Sequence, residues 1–204
     1  MKDWTGNKKS VFSTIGAAGH SKENREEHDF YATDPKAIDR LLTKVILPKH
    51  VWEPACGMGH LSNRLRALGY DVYASDIVDR GANDTTGDFF EITPPTEFGN
   101  DFCILTNPPF RYAVDFVNRA FNLLPEGCLL CLFLKTTWLE SRHRWEKIFK
   151  EQRPQMVLQL IDRILCAKNG EFERSRKELG AGAQAYAWYI WEKGKYDSTM
   201  IDWI

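Results

Sequence analysis

A doubly wound, mostly parallel α/β sheet with an antiparallel edge strand is the fold the sequence predicts, on three observations. Short apolar runs alternate with stretches of helical periodicity from residue 30 onward. Between Lys49 and Asp76 a strand, a glycine turn, a helix and a second strand follow in order, which makes a right-handed βαβ unit. Near the end, two apolar runs at 156–161 and 184–192 are joined by a loop and break the alternation, implying the antiparallel edge.

Residues 1–29 are polar and rich in Gly, Ser and Lys, closing on the charged run Ser21-Lys-Glu-Asn-Arg-Glu-Glu-His28, and read as a mobile arm. Residues 30–204 read as one domain. Asp34 before Pro35 is a helix start, with a carboxylate to cap free N–H groups and proline at the first helical position. Ala37, Ile38, Leu41, Leu42 and Val45 give that helix one apolar face, and Pro48 stops it. The helix after Gly59 turns Leu61, Leu65 and Leu68 inward and ends at Gly69. Residues 70–75 form a strand ending on Asp76, and Gly87-Asp88-Phe89-Phe90 reads as a third strand end. A strand over 101–106 leads to Asn107, and the helix after Tyr112 carries Ala113, Phe116, Val117, Ala120 and Phe121 on one face. A strand over 128–134 follows, then a basic loop and helix over 135–153. Residues 162–183, with Arg163, Lys168, Arg174, Arg176 and Lys177, read as a mobile basic loop.

With 204 residues, 43% hydrophobic and 27% charged, the chain can bury a substantial core. A net charge of −1 exerts no global pull on nucleic acid or anionic membrane, so any surface for a polyanion must be local. The five cysteines sit in apolar runs; Cys128 and Cys131, despite C-x-x-C spacing, should point to opposite faces of a strand. The five histidines show no metal-ligand spacing. No signal peptide and no membrane-length apolar run is evident. A reducing, cytoplasmic protein without a structural metal is the expectation.

Chemistry concentrates at strand ends, where open α/β sheets bind ligands. Glycines 57 and 59 allow a sharp bend and close backbone approach, although Ser62 stands where a dinucleotide fingerprint needs glycine and no Walker sequence occurs. Glu53 precedes that turn and suits a cationic ligand. Asp76, at the next strand end, can accept from ribose hydroxyls. Asp88 can accept from an adenine amine, with Phe89 against the ring. Each acid alone is commonly a turn residue or cap; on successive strand ends they form a constellation. Asn107-Pro108-Pro109-Phe110 completes it. Two prolines fix φ and remove donors, so the segment is a stiff exposed turn ending in an aromatic.

The chain resembles the small S-adenosylmethionine-dependent N6-adenine methyltransferases of phages and prophages, a family with the Rossmann-like class I methyltransferase fold. The likeness runs through Tyr31-Ala-Thr-Asp-Pro35, Glu53-Pro-Ala-Cys-Gly-Met-Gly59, Ser75-Asp-Ile77, Asp88-Phe89, Asn107-Pro-Pro-Phe110 and Ala187-Trp-Tyr-Ile-Trp-Glu192. It implies S-adenosyl-L-methionine as cofactor. Thr33 and its neighbours, Tyr31 among them, would hold the methionine end, and Ala55, Cys56, Gly57 and Gly59 would shape the wall. Asp76, with Ile77, would take the ribose, and Asp88, with Phe89, the adenine. Asn107, Pro108, Pro109 and Phe110 would be the catalytic loop, with Asn107 also among the cofactor-binding residues and Phe110 stacking on the target base. Several DNA adenine enzymes have aspartate at the first position of this loop, so Asn107 widens the acceptors to RNA bases and glutamine side chains.

An exocyclic amine is a weak nucleophile because its lone pair is delocalised into the ring. The Asn107 side-chain oxygen and the Pro108 carbonyl can accept its hydrogens, which favours a tetrahedral nitrogen aimed at a methyl group. An aromatic at 110 suits an extruded base. Lys135, Arg142, His143, Arg144, Lys147 and Lys150, interleaved with Trp138 and Trp145, offer phosphate contacts, although interspersed glutamates also fit a solvated helix face. The expected partner is nucleic acid, DNA above RNA. With no room for a large target-recognition domain, specificity is short, weak or borrowed from a partner subunit. Protein glutamine methylation and a non-catalytic cofactor-binding subunit are the alternatives.

Overall fold

The computed structural model describes residues 31–164, 166–168, 170, 172 and 184–204. The expected arm at 1–29 lies outside the described residues, as does most of the expected loop at 162–183.

Strands β2 (His50–Glu53), β3 (Asp71–Asp76), β4 (Thr85–Thr86), β5 (Phe102–Thr106), β6 (Leu129–Lys135), β7 (Met156–Gln159), β9 (Tyr186–Glu192) and β10 (Met200–Trp203) form one sheet in the order β10-β7-β9-β6-β5-β2-β3-β4. β9 is antiparallel to both of its neighbours, β6 and β7, and the other pairings in the sheet are parallel. The sheet is therefore mostly parallel, as expected, but its antiparallel strand lies inside rather than at the edge. The reason is burial. Six of the seven residues of β9 are buried, so both of its faces and both of its backbone edges need cover. The edge falls to β10, whose Met200, Ile201 and Trp203 are exposed.

Side-chain alternation splits the core in two. Trp52, Phe102, Ile104, Leu130, Leu132, Tyr189 and Trp191 face one layer with Phe116, Val117 and Phe121 of α3 (Ala113–Leu123). Val51, Cys103, Leu105, Phe133, Trp188 and Ile190 face the other. There they meet Ile38 and Leu41 of α1 (Lys36–Leu41) and Leu61 and Leu65 of α2 (His60–Ala67). Leu68, expected inward, is exposed just beyond the end of α2. Cys128 and Cys131 do fall on opposite faces. Buried indoles find partners: Trp52 Nε1 donates to Ser75 Oγ of the neighbouring strand at 2.9 Å, and Trp188 Nε1 donates across layers to the Ala37 carbonyl at 2.8 Å.

Asp34 starts α1 as expected, its Oδ1 accepting the Lys36 N–H at 3.1 Å. The segment after β6 is a 3-10 turn (Thr136–Leu139), a short helix α4 (Arg142–Arg144) and a π-helical turn (Trp145–Phe149). A small ribbon stands apart from the main sheet: β1 (Tyr31–Thr33) pairs antiparallel with β8 (Cys166–Lys168), Thr33 opposite Cys166. Part of the stretch expected as loop is therefore strand. Among the described residues no helix is long and apolar enough to cross a membrane.

Candidate active site

Strand order reverses at β2, whose neighbours are β3 on one side and β5 on the other. A crevice at the carboxyl ends of such strands is where doubly wound sheets bind ligands. Here it is a pocket of about 350 Å³, walled by the strand ends of β2, β3 and β5 and roofed by β1. Of the residues singled out from sequence, Tyr31, Thr33, Glu53, Ala55, Cys56, Asp76, Ile77, Asp88, Phe89, Asn107, Pro108, Pro109 and Phe110 all line it. Pattern reading missed Arg80, His60, Phe90, Tyr112 and Phe116 on the same wall.

The glycine turn works mostly on the chain itself. Gly57 (φ 55°) and Gly59 (φ 73°) are left-handed, a region that L side chains seldom adopt. A Cβ on Gly59 would lie 2.8 Å from the Ala82 Cβ, so its close approach is to the loop after β3 rather than to a ligand. Gly57 N donates to Asp76 Oδ2 at 2.8 Å. The other oxygen, Oδ1, accepts from Val78 N at 2.9 Å and pairs with Arg80 Nη1 at 2.9 Å. The Asp76 carboxylate thus ties the turn after β2 to the turn after β3. No local pattern pointed to Arg80.

Glu53 is different. It is fully buried, and its Oε2 has no hydrogen-bond partner among the described residues. Burial, reinforced by the nearby Asp76 and opposed by Ser62 and Arg66, pushes its pKa up to about 8. Around pH 7 it is a neutral acid, ready to ionise when a cation enters. Burial and the neighbouring Glu53 and Asp76 push the Cys56 thiol far up, so no thiolate nucleophile stands here. Burial lowers the His60 pKa, which keeps its imidazole neutral.

Asp88 Oδ1 accepts the Phe90 N–H at 2.9 Å. Phe89 is only 3% exposed, stacked on Phe116 with centroids 4.6 Å apart and edge-on to Trp52. Its ring belongs to the core. Phe90, 38% exposed, presents the accessible ring, because successive side chains leave the turn in different directions.

Asn107 follows β5 directly. Its Nδ2 donates to Thr33 Oγ1 at 2.8 Å and faces the Tyr31 carbonyl at 3.4 Å, with Cys166 Sγ at 3.9 Å. Its Oδ1 is buried and has no partner among the described residues. Thr33, expected at the cofactor, therefore holds the amide of the loop. Phe110 has Tyr186 stacked beside it at 6.2 Å and Lys135 Nζ 5.1 Å from its centroid.

The basic segment divides. Arg144 donates to the carbonyls of Trp138 and Glu140 and lies over the Trp138 ring, and Trp138 itself is core. Both are tied into the packing of the fold. Arg142, His143, Lys147 and Lys150 are exposed, and Trp145 is exposed with Arg153 over its ring.

The backbone has known counterparts. A class I S-adenosylmethionine-dependent methyltransferase assigned in Listeria monocytogenes superposes with a TM-score of 0.52 at 12% identity, covering 96% of this chain and 71% of that one. A protein of Pyrococcus horikoshii assigned as an RNA methyltransferase gives 0.53 at 16% identity, covering 92% and 99%. This chain shares their fold. The modification subunit of a type I restriction enzyme assigned in Vibrio vulnificus gives 0.50 at 14% identity; 94% of this chain spans 48% of that one. No family model and no curated protein matches the sequence.

Proposed function

We propose that the protein transfers a methyl group from S-adenosyl-L-methionine to the exocyclic N6 amine of adenine, in DNA before RNA. The observation that carries this reading is the Asn107 oxygen: a buried hydrogen-bond acceptor without a partner among the described residues, on a residue that lines the strand-end pocket and is followed by two prolines. A buried polar atom left open is costly unless something completes it. A hydrogen-bearing amine would.

The pocket suits the cofactor on two counts. Its volume is that of a small-molecule site. One polar atom of its lining residues, Glu53 Oε2, is a buried carboxylic oxygen without a partner among the described residues, which fits a cationic ligand and not a phosphate. Glu53 would face the cationic methionine end, Asp76 the ribose and Asp88 the adenine, with Phe90 beside the ring. When bound, the cofactor supplies a methyl carbon made electrophilic by its sulfonium.

Asn107 Oδ1 and the Pro108 carbonyl would accept the two amine hydrogens and turn the nitrogen lone pair toward that carbon. The new N–C bond would form as the S–C bond broke, its electron pair staying on sulfur. The nitrogen then releases one proton to water, so no strong base is required beforehand. The neutral His60 and the protonated Cys56 agree with direct transfer and no covalent enzyme intermediate. Exposed Arg142, Lys147 and Lys150 would contact phosphates.

The deciding experiment offers tritiated S-adenosylmethionine with unmethylated duplex DNA, single-stranded DNA, RNA and cell protein in parallel. Label in DNA recovered as N6-methyldeoxyadenosine is the expected result. Label only in RNA or in protein glutamine would move the acceptor. Cofactor binding with no label anywhere would leave a cofactor-binding subunit.

A further inference from the structure

Asparagine has a donor end and an acceptor end of nearly equal size. A catalytic asparagine is useful only when the correct end faces the substrate. At Asn107 the choice between the two is made by the small ribbon. The Tyr31 carbonyl can only accept, so an amide oxygen turned toward it at 3.4 Å would meet repulsion from a second oxygen. The Thr33 hydroxyl, at 2.8 Å, accepts from the same amide nitrogen. Cys166 Sγ, 3.9 Å away, belongs to the strand paired with β1, and burial pushes its pKa up to about 12, so it is a neutral thiol here. Three groups from two strands thus surround Nδ2, while Oδ1 has no partner among the described residues.

We propose that the β1–β8 ribbon locks the Asn107 amide with its oxygen toward the reacting atom, the Tyr31 carbonyl selecting the donor end and the Thr33 hydroxyl anchoring it there. Thr33 is then a positioning residue, and the lock restricts the site to reacting atoms that bring hydrogens. A ring nitrogen that offers only a lone pair finds no donor there. The inference rests on the methyl-transfer reading for its catalytic consequence, but the orientation of the amide stands apart from it.

The test compares wild type with Thr33→Val, which removes the hydroxyl at nearly constant volume, and Thr33→Ser, which keeps it. Thr33→Ala replaces the valine variant should that one fail to fold. Three readouts are taken: cofactor Kd by calorimetry, kcat for methyl transfer, and the Asn107 side-chain amide resonance in protein labelled with 15N-asparagine, assigned by its loss in Asn107→Ala. Thr33→Val should shift the amide resonance, lower kcat roughly 100-fold and change cofactor Kd less than about threefold. Thr33→Ser should restore the resonance and most of kcat. An unmoved amide resonance in Thr33→Val overturns the proposal, as does a loss confined to cofactor Kd; either leaves Thr33 as a residue of the pocket wall only. Should wild type methylate no acceptor, the function reading fails on its own, and the amide resonance still decides the lock.

Discussion

The two walls of the pocket handle their polar groups differently. On the β3 side, Asp76 is partnered on both oxygens, by the backbone N–H groups of Gly57 and Val78 and the Arg80 guanidinium, with Oδ2 still able to accept one more bond. On the β5 side, Asn107 is saturated at one end and open at the other. Glu53, between them at the end of β2, has one oxygen open and is held neutral by burial. A group partnered on both oxygens stabilises the shape of the site. A half-partnered one stores a cost that a ligand relieves. Asp76 is therefore held by the protein itself, whereas Glu53 and Asn107 each keep one buried oxygen without a partner among the described residues.

Glu53 offers the largest way to break this contrast. Its folded pKa of about 8 stands above the ordinary 4.5. The contribution of Glu53 to the stability of the ligand-free protein is therefore fully present below pH 4.5 and is lost as pH rises toward 8, by about 5 kcal/mol in all. Denaturant melts across that range should show the decline, and Glu53→Gln should flatten it. Cofactor binding near pH 7 should release close to one proton, read by calorimetry in buffers of different ionisation enthalpy. No proton release would remove Glu53 from the cation's site.

Asn107→Ala comes next. Losing an acceptor needed mainly in the transition state should lower kcat by roughly 100- to 1000-fold while leaving cofactor affinity within about threefold. Equal losses in both would make Asn107 a cofactor residue. Asp76→Ala should destabilise the fold by about 2–4 kcal/mol, because it removes the acceptor of both Gly57 N and Val78 N and one ion-pair partner of Arg80. It should also weaken cofactor binding by tenfold or so, and a wild-type Tm would contradict the architectural role. The smallest effects separate the basic residues. Arg144→Ala should cost about 1–2 kcal/mol through its lost carbonyl bonds. Arg142→Ala and Lys147→Ala should leave Tm nearly unchanged, and each should flatten the salt dependence of DNA binding by about one unit of slope. Equal behaviour of Arg144 and Arg142 would erase the division drawn between them.

Much of the site was legible because its signals are local. Glu53, Asp76 and Asn107 each end an apolar strand run, and glycines 57 and 59 sit in a turn that demands positive φ. Phe89 and Phe90 show where this stops. Both are aromatic neighbours after one strand end, and only packing against Phe116 and Trp52 decides which ring is core. Trp138 and Trp145 repeat the lesson in the basic segment.

By itself the sequence determined the alternation of strands and helices, the two faces of each strand and the acids at strand ends, because periods of 2 and 3.6 residues are properties of the local backbone. Only the tertiary structure decided that β9 inserts between β6 and β7, that Arg80 closes on Asp76, and that Thr33 meets Asn107 across 74 residues of chain. Such contacts come from how the packed layers come together, and no spacing along the chain records them.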